Sequence, residues 1–457
     1  MQNDTIAAIA TGLTASGIGI VRMSGPESFS VISRIFKRKD GTPGDFSKPG
    51  RIHYGFVNVS RETSDEVLVM NMKAPHSYTG EDTIEIDCHG GPLMMKRVLE
   101  AVLSAGARLA EPGEFTKRAF LNGRIDLAQA EAVIDVINAK NDDSIKAATS
   151  QLKGSVSKKV EELREKLIRS CAYIEAALDD PEHYDLSGYG AELKPELEGI
   201  RAELKELIDS YRTGKIVREG INTCILGKPN AGKSSLLNAL LGEERAIVTE
   251  VPGTTRDAIR ESITYDNITL NIVDTAGVRD TEDRVEAIGV QVAYRYAEAA
   301  DLILYVIDAS RPPDSSDKKI MDFIDKNGLK AIYLYNKCDL PVHPKFSAGN
   351  VSRETLAVST KTGEGIDRLL QKIKDMFTDG SVHVNDQVVI TSERHKELLS
   401  QAEKSVGNAV ASLENGLPED FWTIDLMDAY RSLGTIIGKE TEEDLINRIF
   451  SEFCMGK

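Results

Sequence analysis

One short segment constrains the fold of this chain more than any other. Residues 227–234 read GKPNAGKS, follow the predicted strand 221–226, and precede the mostly apolar stretch 235–240. A strand, a glycine-rich turn and a helix in this order form a loop whose backbone N–H groups face phosphate oxygens. The spacing predicts a phosphate-binding loop in which Lys233 contacts the β- and γ-phosphates and the Ser234 hydroxyl binds Mg²⁺.

Two later segments indicate which base accompanies the phosphates. The apolar run 331–335 leads into Asn336, Lys337 and Asp339, and Ser359 follows the next predicted strand. The Asp339 carboxylate can accept hydrogen bonds from the ring N–H and the exocyclic amine of guanine, whereas adenine offers no matching donors. The backbone N–H near Ser359 can donate to the guanine carbonyl oxygen. The pattern therefore predicts GTP rather than ATP.

The segments between these motifs match the switches of a GTPase. Thr255 is predicted as a second Mg²⁺ ligand, Asp274 supports the metal, and the Gly277 N–H is expected to contact the γ-phosphate. Val278 stands where Ras-like proteins have a glutamine that orients the attacking water. Glu286 is our candidate for that role, and the alternative is a solvated helix residue. The remaining predicted GTP-contacting residues are Asn230, Ala231, Gly232, Ser235, Thr249, Glu250, Val251, Pro252, Gly253, Thr254, Thr275 and Ala276.

The hydrophobic pattern divides the chain of 457 residues into three types of region. Alternating runs near the N-terminus predict an α+β domain, and helical spacing begins near residue 126. Strands then alternate with helices, which is typical of a parallel sheet, before helical spacing returns. The predicted fold is an α+β domain followed by a helical domain made from two chain segments, with a Ras-like α/β domain inserted. The predicted bounds are 1–122, 123–216, 217–378 and 379–457.

Composition limits the compartment and the partners. The net charge of −16 argues against non-specific nucleic-acid binding. The basic residues from Lys146 to Arg169 leave open a local basic face or an ordinary solvated helix. The five scattered cysteines fit neither a disulfide framework nor a zinc site. No apolar stretch reaches roughly 20 residues and no basic leader is present, so we expect a cytoplasmic protein without a membrane span.

Motifs outside the α/β domain carry a resemblance to a known family. They are DTIAAIAT at 4–11, GIVRMSG at 19–25, SYTGED at 77–82, CHGGP at 88–92, PGEF at 112–115, RAFLNGR at 118–124 and FCMGK at 453–457. With the GTPase motifs, they resemble the MnmE (TrmE) family of tRNA-modification GTPases over the whole chain length.

The resemblance implies a reaction and partners. Such proteins form homodimers and a heterotetramer with MnmG, an FAD-binding partner. Together they add an aminomethyl or carboxymethylaminomethyl group at carbon 5 of the wobble uridine, U34, in certain tRNAs. The one-carbon unit comes from 5-formyl-tetrahydrofolate or a related derivative bound by the N-terminal domain. Matching folate positions are Arg22, Glu85, Arg124 and Lys457, although the family often has lysine at the position of Arg124.

The resemblance also implies a potassium ion that takes the place of an arginine finger. Its matching ligands are Asn230, Thr249, Val251 and Thr254, and Glu286 matches the glutamate that positions water. Cys454 matches a family cysteine that is either a nucleophile near the modified uridine or a part of the folate site.

Two other functions remain open as alternatives. One is an Era- or Der-like GTPase of ribosome assembly, an RNA-binding switch without covalent chemistry. The other is a stand-alone regulatory switch that uses G-domain dimerisation to change the shape of a partner. The folate-type motifs and the terminal CMGK favour the tRNA-modification reading, because neither alternative requires them.

Overall fold

The computed structural model describes residues 4–60, 62–180, 182–184, 186–242, 260–274, 293–344, 354–377, 388–441, 443–451, 453 and 456. The chain forms two compact units. The flanking unit contains Met1–Ile134, Gln151–Arg201 and Gln401–Lys457, and the inserted unit contains Asp135–Ser150 and Ala202–Ser400.

The N-terminal part of the flanking unit is a seven-stranded sheet with two helices on one face. Its elements are β1 (Ile6–Ile9), β2 (Ile18–Ser24), α1 (Ser28–Ile35), β3 (Phe36–Lys37), β4 (Arg51–Asn58), β5 (Ser64–Met72), β6 (Thr83–His89), α2 (Pro92–Ser104), β7 (Arg108–Leu109) and α3 (Glu114–Leu121). The strand order is β3-β4-β5-β6-β2-β1-β7. Buried and exposed residues alternate along β5, so Val67 and Val69 pack in the core with Val98 of α2. The alternating runs near the N-terminus thus form strands of an α+β domain, as predicted.

Long helices follow, as the helical spacing predicts. They are α4 (Leu127–Asn138), α5 (Asp142–Leu152), α6 (Ser155–Asp179) and α7 (Tyr189–Glu219). Along α6, Val156, Val160, Leu163 and Leu167 are buried on one face, which is the period of an amphipathic helix. Gly154 precedes α6 with a φ of 90°, a conformation that glycine adopts without steric cost.

The inserted unit contains a six-stranded sheet of the predicted α/β type. Its elements are β8 (Ile221–Gly227), α8 (Lys233–Leu241), β9 (Arg260–Tyr265), β10 (Ile268–Asp274), β11 (Leu302–Asp308), α9 (Ser315–Lys326), β12 (Ala331–Asn336), β13 (Thr355–Ala357) and α10 (Ile366–Phe377). The order is β13-β12-β11-β8-β10-β9, and every neighbouring pair is parallel except β9 with β10. Parallel strands place their carboxyl ends at one edge, so the loops after β8, β11, β12 and β13 meet there.

Helices return after the insertion. They are α11 (Glu393–Glu414), α12 (Glu419–Ile436) and α13 (Glu443–Ser451). α12 packs against α6 in the flanking unit, and Phe450 of α13 joins Leu127 of α4 in a small apolar cluster. Among the described helices, none combines the length and the apolar character needed to cross a bilayer.

Candidate functional sites

The phosphate loop has the backbone that its sequence predicts. β8 ends at Gly227, and α8 begins at Lys233 after Gly232, which has a φ of 105°. A Cβ on Gly232 would lie 2.1 Å from Asn336 Nδ2, and a Cβ on Gly227 would lie 2.5 Å from Val306 O. Only glycine fits at these two positions, because such distances are well inside van der Waals contact. The loop therefore curls tightly into the N-terminus of a helix, the geometry that binds phosphate.

The lysine of this motif, Lys233, lies inside the turn. Lys233 Nζ donates to Gly227 O at 2.8 Å and to Lys228 O at 2.9 Å. Ser234 is the next residue and belongs to the first turn of α8, where its hydroxyl is the predicted Mg²⁺ ligand. Ala231 is buried beneath the loop. The donor set of one ammonium, one hydroxyl and the helix N-terminus suits a phosphate–Mg²⁺ group.

A buried asparagine joins three of the predicted motifs. Asn336 is fully buried at the end of β12. Its Nδ2 donates to Ala231 O at 2.9 Å, and its Oδ1 accepts from the Thr360 N–H at 3.1 Å. The structure therefore brings the phosphate loop, the NKCD segment and the segment after β13 together. Thr360 contributes only backbone, so no residue-type signal pointed to its contact.

The acceptor for the guanine edge is oriented by a neighbouring hydroxyl. Ser359 Oγ, on a fully buried residue, donates to Asp339 Oδ1 at 2.8 Å. A carboxylate accepts through two oxygens, so this bond fixes the plane of Asp339 while Oδ2 can serve the base. Ser359 thus acts on Asp339 through its side chain, in addition to the backbone role that we predicted for its segment.

Lys337 connects the base-reading segment to the phosphate loop. Its Nζ donates to Asn230 O at 3.1 Å and to Asp308 Oδ2 at 2.6 Å. Burial alone would raise the pKa of Asp308, but the hydrogen bonds from Lys337 and Ser310 hold that pKa below its ordinary value. Asp308 was missed in the sequence, although its place at the carboxyl end of a parallel strand was a usable signal.

The rest of the predicted GTPase machinery lies outside the described residues. This applies to Thr249, Glu250, Val251, Pro252, Gly253, Thr254, Thr255, Thr275, Ala276, Gly277 and Glu286. Asp274 ends β10, and only its backbone is described. The second Mg²⁺ ligand, the water-positioning glutamate and all four potassium ligands, including the described Asn230, stay predictions.

A second group of predicted residues meets in the flanking unit. Arg22 of β2 and Glu85 of β6 are directly opposite each other in the sheet, and Arg22 Nε donates to Glu85 Oε1 at 2.7 Å. Both side chains are mostly buried, with 16% and 15% of their surface exposed. Arg22 Nη1 also donates to Gly456 O at 3.2 Å, which brings the end of the chain to this place. Lys457 and Cys454 lie outside the described residues.

Aromatic rings complete this group. The Arg124 guanidinium lies 5.0 Å from the centroid of the Tyr78 ring, and that of Arg22 lies 5.7 Å from it. Arg22 is also 5.8 Å from the Phe115 ring. We call Arg22, Tyr78, Glu85, Phe115 and Arg124 the cationic–aromatic cluster. Its cations, carboxylate and flat rings suit a ligand with a fused heterocycle and carboxylates, such as a folate. Tyr78 lies in the SYTGED motif, but its contacts were not predicted.

Asp87 lies next to the cluster with an unusual environment. Burial, reinforced by the charge of Glu85, raises the pKa of Asp87. Among the described residues, its Oδ1 has no hydrogen-bond partner although it is buried. Buried polar atoms are normally paired, so this oxygen is an acceptor that a bound group or a partner chain would satisfy.

Comparisons with known proteins identify the family. Residues 5–124 match the family model for the GTP-binding protein TrmE N-terminus, and residues 127–454 match that for the MnmE helical domain. The chain is 53% identical over 460 aligned positions to the tRNA modification GTPase MnmE of Lachnoclostridium phytofermentans, with 100% of both chains covered. The chain belongs to the MnmE family of tRNA modification GTPases. This confirms the resemblance, the fold class and the GTPase class predicted from the motifs.

Other MnmE relatives and several solved structures are also similar. The MnmE of Acetivibrio thermocellus is 45% identical with 100% of both chains covered. The G domain of the FeoB iron transporter of T. maritima is 26% identical, covers 34% of this chain and 97% of its own, and has a TM-score of 0.26. Era of Aquifex aeolicus bound to GDP·AlF₄⁻ is 27% identical, covers 40% and 66%, and has a TM-score of 0.29.

Proposed function

We propose that this chain couples GTP hydrolysis to modification of carbon 5 of the wobble uridine in certain tRNAs. The added group is aminomethyl or carboxymethylaminomethyl, and MnmG is the flavoprotein partner in a heterotetramer in the cytoplasm. The observation that supports this most strongly is the cationic–aromatic cluster. A GTPase that acted only as a switch would not need a second ligand site in another unit.

The G-domain residues bind and orient the nucleotide. Asp339, held by Ser359, accepts from the guanine edge, and Lys233 holds the β- and γ-phosphates. Ser234 and Thr255 would hold a Mg²⁺ ion, with Asp274 supporting it, and the ion would supply charge neutralisation at the phosphates. Glu286 orients the attacking water, because Val278 has no polar group for that task.

Potassium is the proposed second cation of the hydrolysis step. Asn230 has a left-handed backbone, with a φ of 61°, and its carbonyl accepts from Lys337. This places the residue under tight geometric control, as a metal ligand requires. Thr249, Val251 and Thr254 supply the other proposed ligands. The ion would neutralise transition-state charge that an arginine finger neutralises elsewhere.

The rate of GTP hydrolysis in potassium and in sodium, measured at equal ionic strength, tests the proposed role of potassium. We expect faster hydrolysis in potassium and a loss of that stimulation in Asn230→Gly, which keeps the left-handed backbone accessible while removing the side chain. GDP affinity of Asn230→Gly should stay near the parent value. Equal rates in the two salts would remove potassium from the mechanism.

The cationic–aromatic cluster is the proposed tetrahydrofolate site. A tetrahydrofolate derivative, 5-formyl-tetrahydrofolate or a related form, supplies the one-carbon unit when bound. Arg22, Arg124 and Lys457 bind its carboxylates, Glu85 accepts from the heterocycle, and Tyr78 offers a flat surface. Cys454 remains either a nucleophile or a part of this site.

The exposed face of the seven-stranded sheet supports a homodimer. Ile52, Tyr54 and Leu68 are 66%, 49% and 42% exposed, and Leu68 is directly opposite Asp87 on the neighbouring strand. Tyr54 is opposite Leu68, so these side chains share one face. These exposed apolar side chains lie beside Asp87, whose buried Oδ1 has no hydrogen-bond partner among the described residues, and such a face suits a second copy of the chain.

The alternative is an Era- or Der-like GTPase of ribosome assembly. The test is mass spectrometry of wobble uridine in tRNA from cells lacking this protein, complemented with defined variants. We expect the modification to be lost, to return with the parent and with the exposed-surface control Arg97→Met, and to stay absent with Arg22→Met or Asp339→Asn. Intact modification in the deficient cells, accompanied by immature ribosomal subunits, would favour the alternative.

A further inference from the structure

The phosphate loop contains a lysine that its motif does not specify. Lys228 follows Gly227, and its Nζ donates to Asp317 Oδ2 at 2.6 Å and to Asp314 Oδ2 at 2.9 Å. Asp314 caps the N-terminus of α9, and Asp317 lies in the first turn of that helix. The side chain of Lys228 therefore ties the start of the phosphate loop to a helix that follows a different strand.

Asp317 is an unusual partner because it is buried. Only 2% of its surface is exposed, and its Oδ1 accepts from the hydroxyl of Tyr305 at 3.0 Å. Its Oδ2 also accepts from the Asp314 backbone N–H at 3.0 Å. A buried carboxylate is costly without a compensating cation, and Lys228 is the ammonium that contacts it. The contact is thus a partly buried charge pair and not an ordinary surface one. The ammonium of Lys228 faces two carboxylates on α9 and its N-cap, those of Asp317 and Asp314.

The backbone of the same residue determines the curl of the loop. Lys228 O accepts from the Ala231 N–H at 3.3 Å and from Lys233 Nζ at 2.9 Å. The Lys228 carbonyl thus holds two residues of the loop, and the Lys228 side chain is bound to Asp314 and Asp317 of the helix α9 and its cap. Displacing Lys228 would move both the turn and the resting position of the phosphate-binding lysine.

We propose that Lys228 is a positioning residue for nucleotide binding, which holds the phosphate loop curled before the nucleotide arrives. The energetic consequence follows from preorganisation. A loop already in its binding conformation loses less conformational freedom on binding, so it binds the nucleotide more tightly. GDP and GTP should benefit equally, because both place phosphates in the same turn. This inference rests on the proposed function in one respect, namely that the ligand is a guanine nucleotide.

Lys228→Met tests the proposal, because it keeps the length of the side chain and removes the cation. We expect GDP and GTP affinity to fall together by about ten-fold, the lower end of the range for one hydrogen bond to a charged group. KM should rise by the same factor, while kcat stays within about two-fold because the chemical step is unaffected. Lys228→Arg should restore most of the affinity. Lys318→Met, an exposed lysine on α9, is the matched control and should change nothing.

A double variant separates positioning from simple destabilisation. Lys228→Met leaves the Asp317 charge buried, so its melting temperature should fall, whereas Lys228→Met/Asp317→Asn removes that charge and should regain stability. Under the proposal, the double variant keeps the weak affinity. The proposal fails if affinity is unchanged in Lys228→Met, if kcat falls instead of KM rising, or if affinity recovers with stability in the double variant. Failure of the parent to bind guanine nucleotides would instead contradict the proposed function.

Discussion

The nucleotide site and the cationic–aromatic cluster are assembled in different ways. In the inserted unit, the site residues lie on loops at the carboxyl ends of adjacent parallel strands, and each motif is contiguous in sequence. In the flanking unit, the cluster joins residues as far apart as Arg22 and Gly456. The sheet geometry dictates the first arrangement. The second exists only because β2, β6, α3 and the chain terminus pack together.

This difference predicts that the two sites can be disabled independently. A variant in one site should leave ligand binding at the other unchanged, since each is completed by contacts within its own unit. If either variant nevertheless abolishes the whole tRNA modification reaction, the two sites are coupled in catalysis and do not depend on each other for their structure.

The largest expected effect concerns the chemical step in the inserted unit. Glu286→Ala should lower single-turnover GTP hydrolysis by about 100-fold or more, because the glutamate orients the attacking water only in the transition state. GTP affinity and folate affinity should not change. The measurement is single-turnover hydrolysis at saturating GTP and potassium, with Glu282→Ala as the neighbouring control. A rate near that of the parent would show that another group holds the water.

The next effect concerns base recognition. Asp339→Asn should weaken GTP binding by about 10- to 150-fold, the range for a hydrogen bond to a charged group. Xanthosine triphosphate should bind better, because xanthine has a carbonyl where guanine has an amine, and the amide can donate to it. Nucleotide affinities measured by calorimetry check both changes, with the exposed Asp367→Asn as control. Unchanged GTP affinity would contradict the assignment of Asp339.

A smaller effect is expected in the flanking unit. Arg22→Met should weaken binding of 5-formyl-tetrahydrofolate by about ten-fold, because it removes a charged donor. GDP affinity should remain at the parent value, and Arg97→Met should leave both ligands unaffected. Titration of each ligand into the full-length protein checks this. If Arg22→Met weakens GDP binding as much as folate binding, the two sites are not independent.

The same comparison explains how much the sequence could predict. Lys233, Asn336 and Asp339 were found from local spacing, because strand, turn and helix dictate their positions. The set of Arg22, Glu85 and Arg124 was named only through the family resemblance, since no local pattern connects those residues. The structure brings them together, with the guanidinium groups of Arg22 and Arg124 at 5.7 Å and 5.0 Å from the centroid of the Tyr78 ring.

Buried ionic contacts were the features that sequence patterns did not reveal. Asp308 and Asp317 read as ordinary acidic residues, yet each binds a lysine at 2.6 Å. Arg164 stood in the basic stretch 146–169, but it is buried and packs 4.0 Å from the centroid of the Tyr430 ring. Charge in sequence does not distinguish a solvated side chain from one that packs against an aromatic ring, because the distinction arises from tertiary contacts.

The smallest predicted effect lies at the end of β6, where His89 meets Asp65 of β5. His89 Nδ1 is 2.6 Å from Asp65 Oδ1, and the backbone N–H of His89 donates to Asp65 Oδ2 at 3.0 Å. The hydrogen bond and charge of Asp65 raise the pKa of His89 above its ordinary value. A raised pKa in the folded state favours the charged imidazole. The pair therefore stabilises the fold fully at pH values below the unfolded-state pKa, and this contribution is lost as the pH rises through the folded-state pKa.

Two measurements check the sign of this effect. The melting temperature of the parent should exceed that of His89→Gln slightly in acid, and the difference should shrink as the pH rises. In an NMR titration, the His89 pKa should fall in Asp65→Asn, because the amide removes the charge but keeps a similar shape. A pKa that is the same in the parent and in Asp65→Asn would mean that the pair is a contact without electrostatic consequence. The stability of the seven-stranded sheet would then not depend on pH through this histidine.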